Sequence, residues 1–193
     1  MNYIPIVTDK SLKEGYNCDI YSKFLKDRII FLNGNICENS SNSIITQLLY
    51  LDNQDSENDI KIYINSNGGD VYSGLAIYDI MQYIKSDVST ICTGTACSMA
   101  AFLLSSGTKG KRLSFPNSRI MIHQPMGGAH GQASDIKIHA KEIIYLKKKI
   151  NILLSKNTNK SIKKIKKDTN RDYFMSPLKA LNYGIIDFII LNE

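Results

Sequence analysis

The chain has 193 residues, of which 43% are hydrophobic and 22% are charged, and its formal net charge is +6 at pH 7. A chain of this length can bury a sizeable core, so we predict a single domain over residues 1–193. Every apolar run is much shorter than the roughly 18 residues of a membrane-spanning helix, so we expect no membrane partner.

Strands and helices are predicted to alternate along the chain. Apolar runs that end in turn residues predict strands at 28–34, 59–70, 88–94, 119–125 and 185–190. Helical spacing of apolar residues, with Ser161 as an N-cap, Pro177 in a first turn and Gly184 as a stop, predicts helices at 42–54, 71–86, 98–107, 135–156, 161–168 and 176–184. This alternation is typical of the α/β class.

The cysteines and lysines narrow the function classes. Cys18, Cys37, Cys92 and Cys97 have neither a C-x-x-C pair nor a zinc-binding spacing, so we expect a reducing compartment. The lysines are concentrated in residues 145–171, but no aromatic residues alternate with them. Because the chain is also rich in Asn and Ile, which AT-rich codons encode, we attribute the lysines to mutational bias and expect no nucleic-acid partner.

The segment "ICTGTACSM" (91–99) places Ser98 between a strand and an apolar helix. Ser98 is either a simple helix cap or a nucleophile. The chain has three histidines, His123, His130 and His139, and all of them follow Ser98. In chymotrypsin-like and subtilisin-like proteases the catalytic histidine precedes the serine, so both of these classes are excluded. The G-x-S-x-G turn of α/β-hydrolases is also absent, because Ala96 and Ala100 stand at its glycine positions.

His123 ends a predicted strand, where functional side chains are common, and is a candidate general base or a structural histidine. Asp168 and Asp172, in "KKDTNRDYF", are candidates for the acid that orients it, or are surface charges. A second acid–histidine pair, Asp135 and His139, lies one turn apart on a long helix, which is typical of a surface face.

The double glycine in "NSNGGDV" (65–71) lets backbone N–H groups approach a ligand, as an oxyanion hole requires. The N–H of Met99, at a helix start, is a natural second donor. The alternative is a plain turn. A phosphate-binding loop is disfavoured because no G-K-[ST] follows.

Together these stretches resemble the ClpP family, the proteolytic subunits of the Clp protease. The similarity runs from "DIYSKFLKDRIIFLNG" through "INSNGGDVYSGLAIYDIMQYIKSDVSTICTGTACSMAAFLLSSGTKGKR" and "PNSRIMIHQPMGGAHGQASDIKIHAKEI" to "DTNRDYFMSPLKALNYGIID". It implies the ClpP/crotonase-type fold of repeated ββα units. A projecting handle, a strand plus a long helix, would occupy about residues 124–156.

The resemblance also implies roles for individual residues. Ser98 would be the nucleophile, His123 the base and Asp172, rather than Asp168, the orienting acid. The backbone N–H groups of Gly69 and Met99 would form the oxyanion hole. The reaction would be acyl-enzyme hydrolysis of peptide bonds, and it needs neither a metal nor an organic cofactor.

The implied assembly is a tetradecamer of two stacked seven-membered rings that enclose a proteolytic chamber. Gln132 and Arg171 would take part in ring contacts. An AAA+ Clp ATPase would unfold protein substrates and feed them into the chamber, so ATP would be used by the partner. This is a role in protein quality control.

Three residues depart from the family pattern. Asn67 replaces a proline before the double glycine, so we expect a less rigid oxyanion loop. Cys97 replaces a smaller residue and is expected to crowd the nucleophile. Asn170 replaces an acid that normally pairs with the arginine matched by Arg171, so we expect weaker ring stacking.

Two other functions are compatible with this fold. A non-catalytic ClpR-like subunit of a mixed ring would normally lack the three triad positions, which are present here. A crotonase-type acyl-CoA enzyme would usually lack a Ser-His-Asp set and be longer. The codon bias suits an AT-rich organism, so we expect a plastid such as an apicoplast, with any transit peptide outside the printed sequence, or a bacterial cytoplasm.

Overall fold

The computed structural model describes residues 4–9 and 16–191. Within these ranges the elements in chain order are β1 (Ile6–Asp9), β2 (Tyr16–Asp19), α1 (Ile20–Lys26), β3 (Ile29–Ile36), α2 (Glu38–Gln54), β4 (Ile60–Gly69), α3 (Val71–Tyr83), β5 (Val88–Cys97), α4 (Met99–Ser105), β6 (Arg112–Ser114), β7 (Arg119–Ile122), α5 (Ala133–Thr158), α6 (Ile162–Asp168), β8 (Tyr173–Met175), α7 (Pro177–Tyr183) and β9 (Phe188–Ile189).

Most of the strands form one seven-stranded sheet, in which β3, β4, β5, β6 and β9 are parallel neighbours in that order. β5 changes partner along its length. Its first half pairs with β6, and its last residues pair with β7, where Cys97 lies opposite Met121. β8 then pairs with β7 in the antiparallel direction. The mostly parallel sheet with helices confirms the predicted α/β class and is consistent with the ClpP-type fold.

The core lies between this sheet and the helices. Side chains of β4 alternate between buried and accessible positions, as expected for a strand with one face on the core. All seven residues of α4 are buried, and Phe102 is 1% exposed, with its ring 5.2 Å from that of Tyr78. Burial of such a phenylalanine side chain stabilises the fold by about 2–3 kcal/mol. α4 is therefore held firmly at the centre of the molecule.

The predicted helix ends are mostly correct. The Ser161 side chain accepts a hydrogen bond from the N–H of Lys164, and α7 begins with Pro177 and ends at Gly184 in a left-handed conformation. The predicted final strand is shorter than expected, because only Phe188 and Ile189 pair with β6. The double glycine, expected as a loop, forms the end of β4 beside β3. Sequence patterns did not predict β1, β2, α1, β6 and β8.

The structure differs from the predicted handle, because the expected strand before the long helix is missing. Residues 123–132 contain no strand or helix, because no other strand of the described chain lies beside them to pair with. α5 itself begins two residues earlier and ends two residues later than the predicted helix. Its buried residues begin only at Leu146. The N-terminal half of α5 therefore projects away from the core.

Candidate active site

Ser98 lies in a sharp turn between β5 and α4. Its backbone has φ 56° and ψ −123°, a strained conformation for a residue with a side chain. The turn is held by two backbone hydrogen bonds, because the Ser98 N–H donates to Met121 O at 2.8 Å and Ser98 O accepts from Phe102 N at 3.0 Å. The Ser98 side chain makes no capping hydrogen bond to α4. The hydroxyl is therefore available for another partner.

Gly68 makes this turn sterically feasible. It has φ +96°, and a Cβ atom there would lie 2.8 Å from the Cβ of Ser98 and 2.7 Å from Cys97 O. Gly69, with φ +154°, packs instead against the backbone of Ile36 on β3. The sequence motif was expected to supply an oxyanion donor, but it did not reveal that Gly68 is the glycine in contact with the serine turn.

His123 follows the last residue of β7. Because β7 pairs in parallel with the end of β5, the imidazole is carried alongside Ser98. His123 Nε2 lies 2.8 Å from Ser98 Oγ, and the histidine side chain is 11% exposed. This distance allows the hydroxyl to donate its proton directly to the ring.

Asp172 immediately precedes β8. The antiparallel pairing of Ile122 with Tyr173 brings it beside His123. Asp172 Oδ1 lies 3.0 Å from His123 Nδ1, and the aspartate side chain is 56% exposed. A carboxylate at this nitrogen favours the tautomer with the proton on Nδ1, which leaves Nε2 free to accept from Ser98. The three side chains form one hydrogen-bonded chain.

Asp168 has a different environment. It is 8% exposed, accepts a hydrogen bond from the Tyr183 hydroxyl at 2.8 Å and pairs with Lys164 Nζ at 3.0 Å. Burial, together with this hydrogen bond to Asp168, raises the pKa of the Tyr183 hydroxyl. Asp168 therefore ties α6 to α7 rather than contacting His123.

The remaining titratable candidates lie at the surface. Asp135 and His139 are exposed on the projecting half of α5, and His130 is exposed before it. Of the candidates from the sequence, the structure therefore brings only His123 and Asp172 together with Ser98. The other candidate histidines and aspartates lie elsewhere.

A small apolar cavity of about 20 Å³ opens beside Ser98 and His123. It has room for about one water molecule. Its other walls come from α3, α4, α5, the end of β7 and the segment that follows it: Val71, Met99, Phe102, Ile122, Pro125, Ile150 and Leu154. Such a lining suits an apolar side chain once the cavity widens.

Cys97 is adjacent to Ser98 in sequence and is buried. Burial raises the pKa of its thiol, and the negative charge of Asp172 acts in the same direction. The side chain is therefore a neutral thiol at pH 7 and does not compete with Ser98 as an ionised nucleophile.

The other residues singled out from the sequence are accessible. Asn67 is exposed, and its Oδ1 lies 3.5 Å from the Thr95 hydroxyl. Asn170 and Arg171 are exposed between α6 and β8, and Gln132 is exposed at the N-cap position of α5. Gln132 and Arg171 are thus accessible to a neighbouring subunit, and their ring contacts stay predictions.

Within the described ranges, no group of three or more His, Cys, Asp or Glu side chains could hold a metal ion. Among the described helices, none combines the length and the hydrophobicity of a membrane-spanning segment. The family model described as Clp protease matches residues 12–193 of the chain.

Proposed function

Because the chain belongs to the Clp protease family, we propose that it is a serine endopeptidase subunit that hydrolyses peptide bonds of unfolded proteins. The observation that supports this most strongly is the hydrogen-bonded chain at the end of β5. Ser98 Oγ lies 2.8 Å from His123 Nε2, and His123 Nδ1 lies 3.0 Å from Asp172 Oδ1. The strained backbone of Ser98 and the absence of a capping bond from its side chain support the same role.

In the first half of the proposed reaction, His123 Nε2 accepts the Ser98 proton as Oγ attacks the substrate carbonyl carbon. The imidazolium that forms is stabilised by the Asp172 carboxylate. The tetrahedral intermediate then collapses, the C–N bond breaks, and His123 returns the proton to the leaving amine. The product is an acyl-enzyme ester on Ser98.

In the second half, water enters and His123 removes its proton while the oxygen attacks the ester. The C–O bond to Ser98 then breaks, and His123 returns the proton to Oγ. The carboxylic acid product leaves, and the enzyme is regenerated. The net reaction consumes one peptide bond and one water molecule.

The negative charge on the carbonyl oxygen needs donors in both halves. We assign this role to the backbone N–H groups of Met99 and Gly69. Met99 is the first residue of α4, where an N–H has no acceptor within its own helix. Preset donors of this kind are usually worth 10²- to 10³-fold in rate.

The apolar cavity beside Ser98 is the proposed site for the substrate side chain that precedes the cleaved bond. Its walls at Met99, Phe102 and Leu154 offer no charged group to a substrate. We therefore infer a preference for apolar residues at that substrate position.

We also propose assembly into two stacked seven-membered rings that are served by an AAA+ Clp ATPase. Supporting this, the projecting half of α5 exposes large apolar side chains that an assembly would cover: Ile136, Ile138, Ile144 and Tyr145 are 43%, 63%, 53% and 56% exposed. Because Asn170 cannot form an ion pair with an arginine, we expect the rings to separate readily. Mass photometry that finds a salt-resistant fourteen-subunit particle at nanomolar concentration would contradict this expectation.

The proposed activity is tested by fluorophosphonate labelling, with the adduct located by mass spectrometry and with Ser98→Ala as control. We expect the adduct on Ser98 alone. If the wild-type protein stays unlabelled, the experiment is repeated with the cognate ATPase. Labelling that appears only then indicates a triad aligned by assembly, whereas persistent failure rejects the peptidase and favours a non-catalytic ClpR-like subunit.

A further inference from the structure

The side chain of Gln124 joins three separate parts of the molecule. Its Nε2 donates a hydrogen bond to the backbone O of Asn170 at 2.9 Å. Its Oε1 accepts one from Lys147 Nζ, on α5, at 2.6 Å. Gln124 directly follows His123, and Asn170 lies two residues before Asp172. The amide therefore bridges the two segments that carry the base and the orienting acid.

This bridge adds to the strand pairing that holds His123 and Asp172 together. The antiparallel register of β7 and β8 includes Ile122 opposite Tyr173 and does not extend to His123 or Asp172. Beyond this pair, the Gln124–Asn170 bond connects the two segments again. Asp172 is 56% exposed, so packing constrains its carboxylate weakly. The Gln124 amide is therefore placed to influence the relative position of His123 and Asp172.

Lys147 extends the bridge to α5. It lies one residue after Leu146, where the buried part of the helix begins, and it is half-buried itself. A hydrogen bond from an ammonium group is stronger than one between neutral groups. It also fixes which way the Gln124 amide points, because only Oε1 can accept from Lys147. Nε2 is thereby directed toward Asn170.

We propose that Gln124 is a positioning residue: its amide, oriented by Lys147, holds the backbone at Asn170 and so keeps Asp172 beside His123. Without the bond from Lys147 the amide loses its orientation, and without the bond to Asn170 O the segment of Asp172 is free to move away from His123. The inference rests on the proposed peptidase function of the same site.

The test measures two rates on purified protein: labelling of Ser98 by a fluorophosphonate, and hydrolysis of a short fluorogenic peptide. Gln124→Ala removes both hydrogen bonds, and we expect labelling and kcat to fall about tenfold with KM unchanged, as for a small misplacement of catalytic groups. Gln124→Glu keeps an acceptor for Lys147 but cannot donate to Asn170 O. We expect it to lose at least as much activity as Gln124→Ala.

Lysine variants test the Lys147 end of the bridge separately from the Asn170 end. Lys147→Met should lower both rates about threefold, as for the loss of one hydrogen bond, and Lys147→Arg should restore them because it can still donate to Gln124. Lys148→Met is the matched control, because Lys148 is the next residue of α5, is exposed and loses the same charge. It should behave as wild type. Melting temperatures identify any variant that is simply unfolded.

The outcomes separate the two proposals. If wild-type protein neither labels nor turns over, both alone and with the cognate ATPase, the peptidase function fails and the inference fails with it. If wild type is active while folded Gln124→Glu and Lys147→Met keep its kcat, the inference alone is wrong. A loss of thermal stability with unchanged kcat in these variants also overturns it, since that result describes a purely structural brace. A fall in kcat at constant KM that Lys147→Arg rescues supports it.

Discussion

The two ends of the hydrogen-bonded chain at the site are held in very different ways. Ser98 lies between a central strand and a fully buried helix, with its backbone bonded to Met121 and Phe102 and with Gly68 in contact beside it. Asp172 is 56% exposed and lies in a short segment between α6 and β8. Ser98 is thus fixed by the core, whereas Asp172 is held by a few hydrogen bonds at the surface.

This difference has a consequence for regulation. Moving Ser98 would require repacking of α4 and the sheet, which costs far more free energy than a surface change. Moving Asp172 requires only the loss of local hydrogen bonds. Changes in the surroundings of the site, such as assembly, are therefore expected to act on the acid end of the chain. Substitutions at the two ends should accordingly separate activity from stability.

The largest expected effect is that of Asp172→Asn. An amide at this position favours the wrong histidine tautomer, with a proton on Nε2, so Ser98 loses its base. We expect kcat for peptide hydrolysis to fall about 10³- to 10⁴-fold, while the melting temperature stays within 2 °C or so, as for other exposed positions. Steady-state kinetics and a thermal melt on the same sample check both parts.

The matched control is Asp168→Ala, four residues earlier in the same segment. It leaves the buried Tyr183 hydroxyl without its acceptor, and we expect a loss of unfolding free energy of about 1–3 kcal/mol. Labelling of Ser98 should change less than threefold or so in protein that remains folded. A large fall in kcat for Asp168→Ala with full stability would mean that the acid is misassigned.

The next effect belongs to the core end. Gly68→Ala places a Cβ atom 2.8 Å from that of Ser98 in a backbone conformation that alanine resists. We expect a loss of about 2–4 kcal/mol in unfolding free energy, and at least a 10²-fold fall in the labelling rate because the serine turn must shift. Chemical denaturation and labelling kinetics measure the two quantities.

Gly34→Ala separates backbone strain from steric contact in this experiment. Gly34 also has a positive φ, +75°, but an added Cβ would meet nothing within 4 Å. We expect a loss of only about 1 kcal/mol and an unchanged labelling rate. Equal effects of the two substitutions would show that contact with Ser98 is not what makes Gly68 necessary.

A smaller effect is expected at the apolar cavity. Among otherwise identical fluorogenic peptides, one with leucine before the cleaved bond should have a kcat/KM about 10- to 100-fold higher than one with aspartate, because the cavity offers a charged side chain no partner. The cavity is narrow at about 20 Å³. Phe102→Leu should therefore relax the preference toward larger apolar residues. Equal rates for leucine and aspartate peptides would contradict the assignment of the cavity.

The sequence predicted much of the fold and the candidates at the site, but not their geometry. Long periodic segments such as α5 were predicted to within two residues at each end, whereas β6 and β8, with three residues each, were too short to show a pattern. Asp168 and Asp172 could not be distinguished by local reasoning, because both lie in one polar segment. Strand pairing between β7 and β8 places only Asp172 beside His123.

The contact between Gln124 and Lys147 illustrates the same limit. A glutamine after a strand histidine and a lysine in a lysine-rich helix carry no distinctive local signal. Their 2.6 Å hydrogen bond exists because α5 packs its C-terminal half against the core and so brings residue 147 to the end of β7. Tertiary packing of distant segments, rather than periodicity, creates this part of the site.

The smallest expected effect concerns the anchoring of the acid-bearing segment at high pH. Burial and the hydrogen bond to Asp168 raise the pKa of Tyr183 above its usual value of 10.0 in the folded protein. The protonated phenol is therefore favoured in the folded state, so this contribution to stability is complete below pH 10 and is lost as the pH rises above that value. In Tyr183→Phe there is no such proton to lose.

Urea unfolding at pH 8 and pH 11 should show that the difference in unfolding free energy between wild type and Tyr183→Phe shifts in favour of the variant at the higher pH. An identical difference at both pH values would mean that Tyr183 titrates normally and that Asp168 does not hold its hydroxyl.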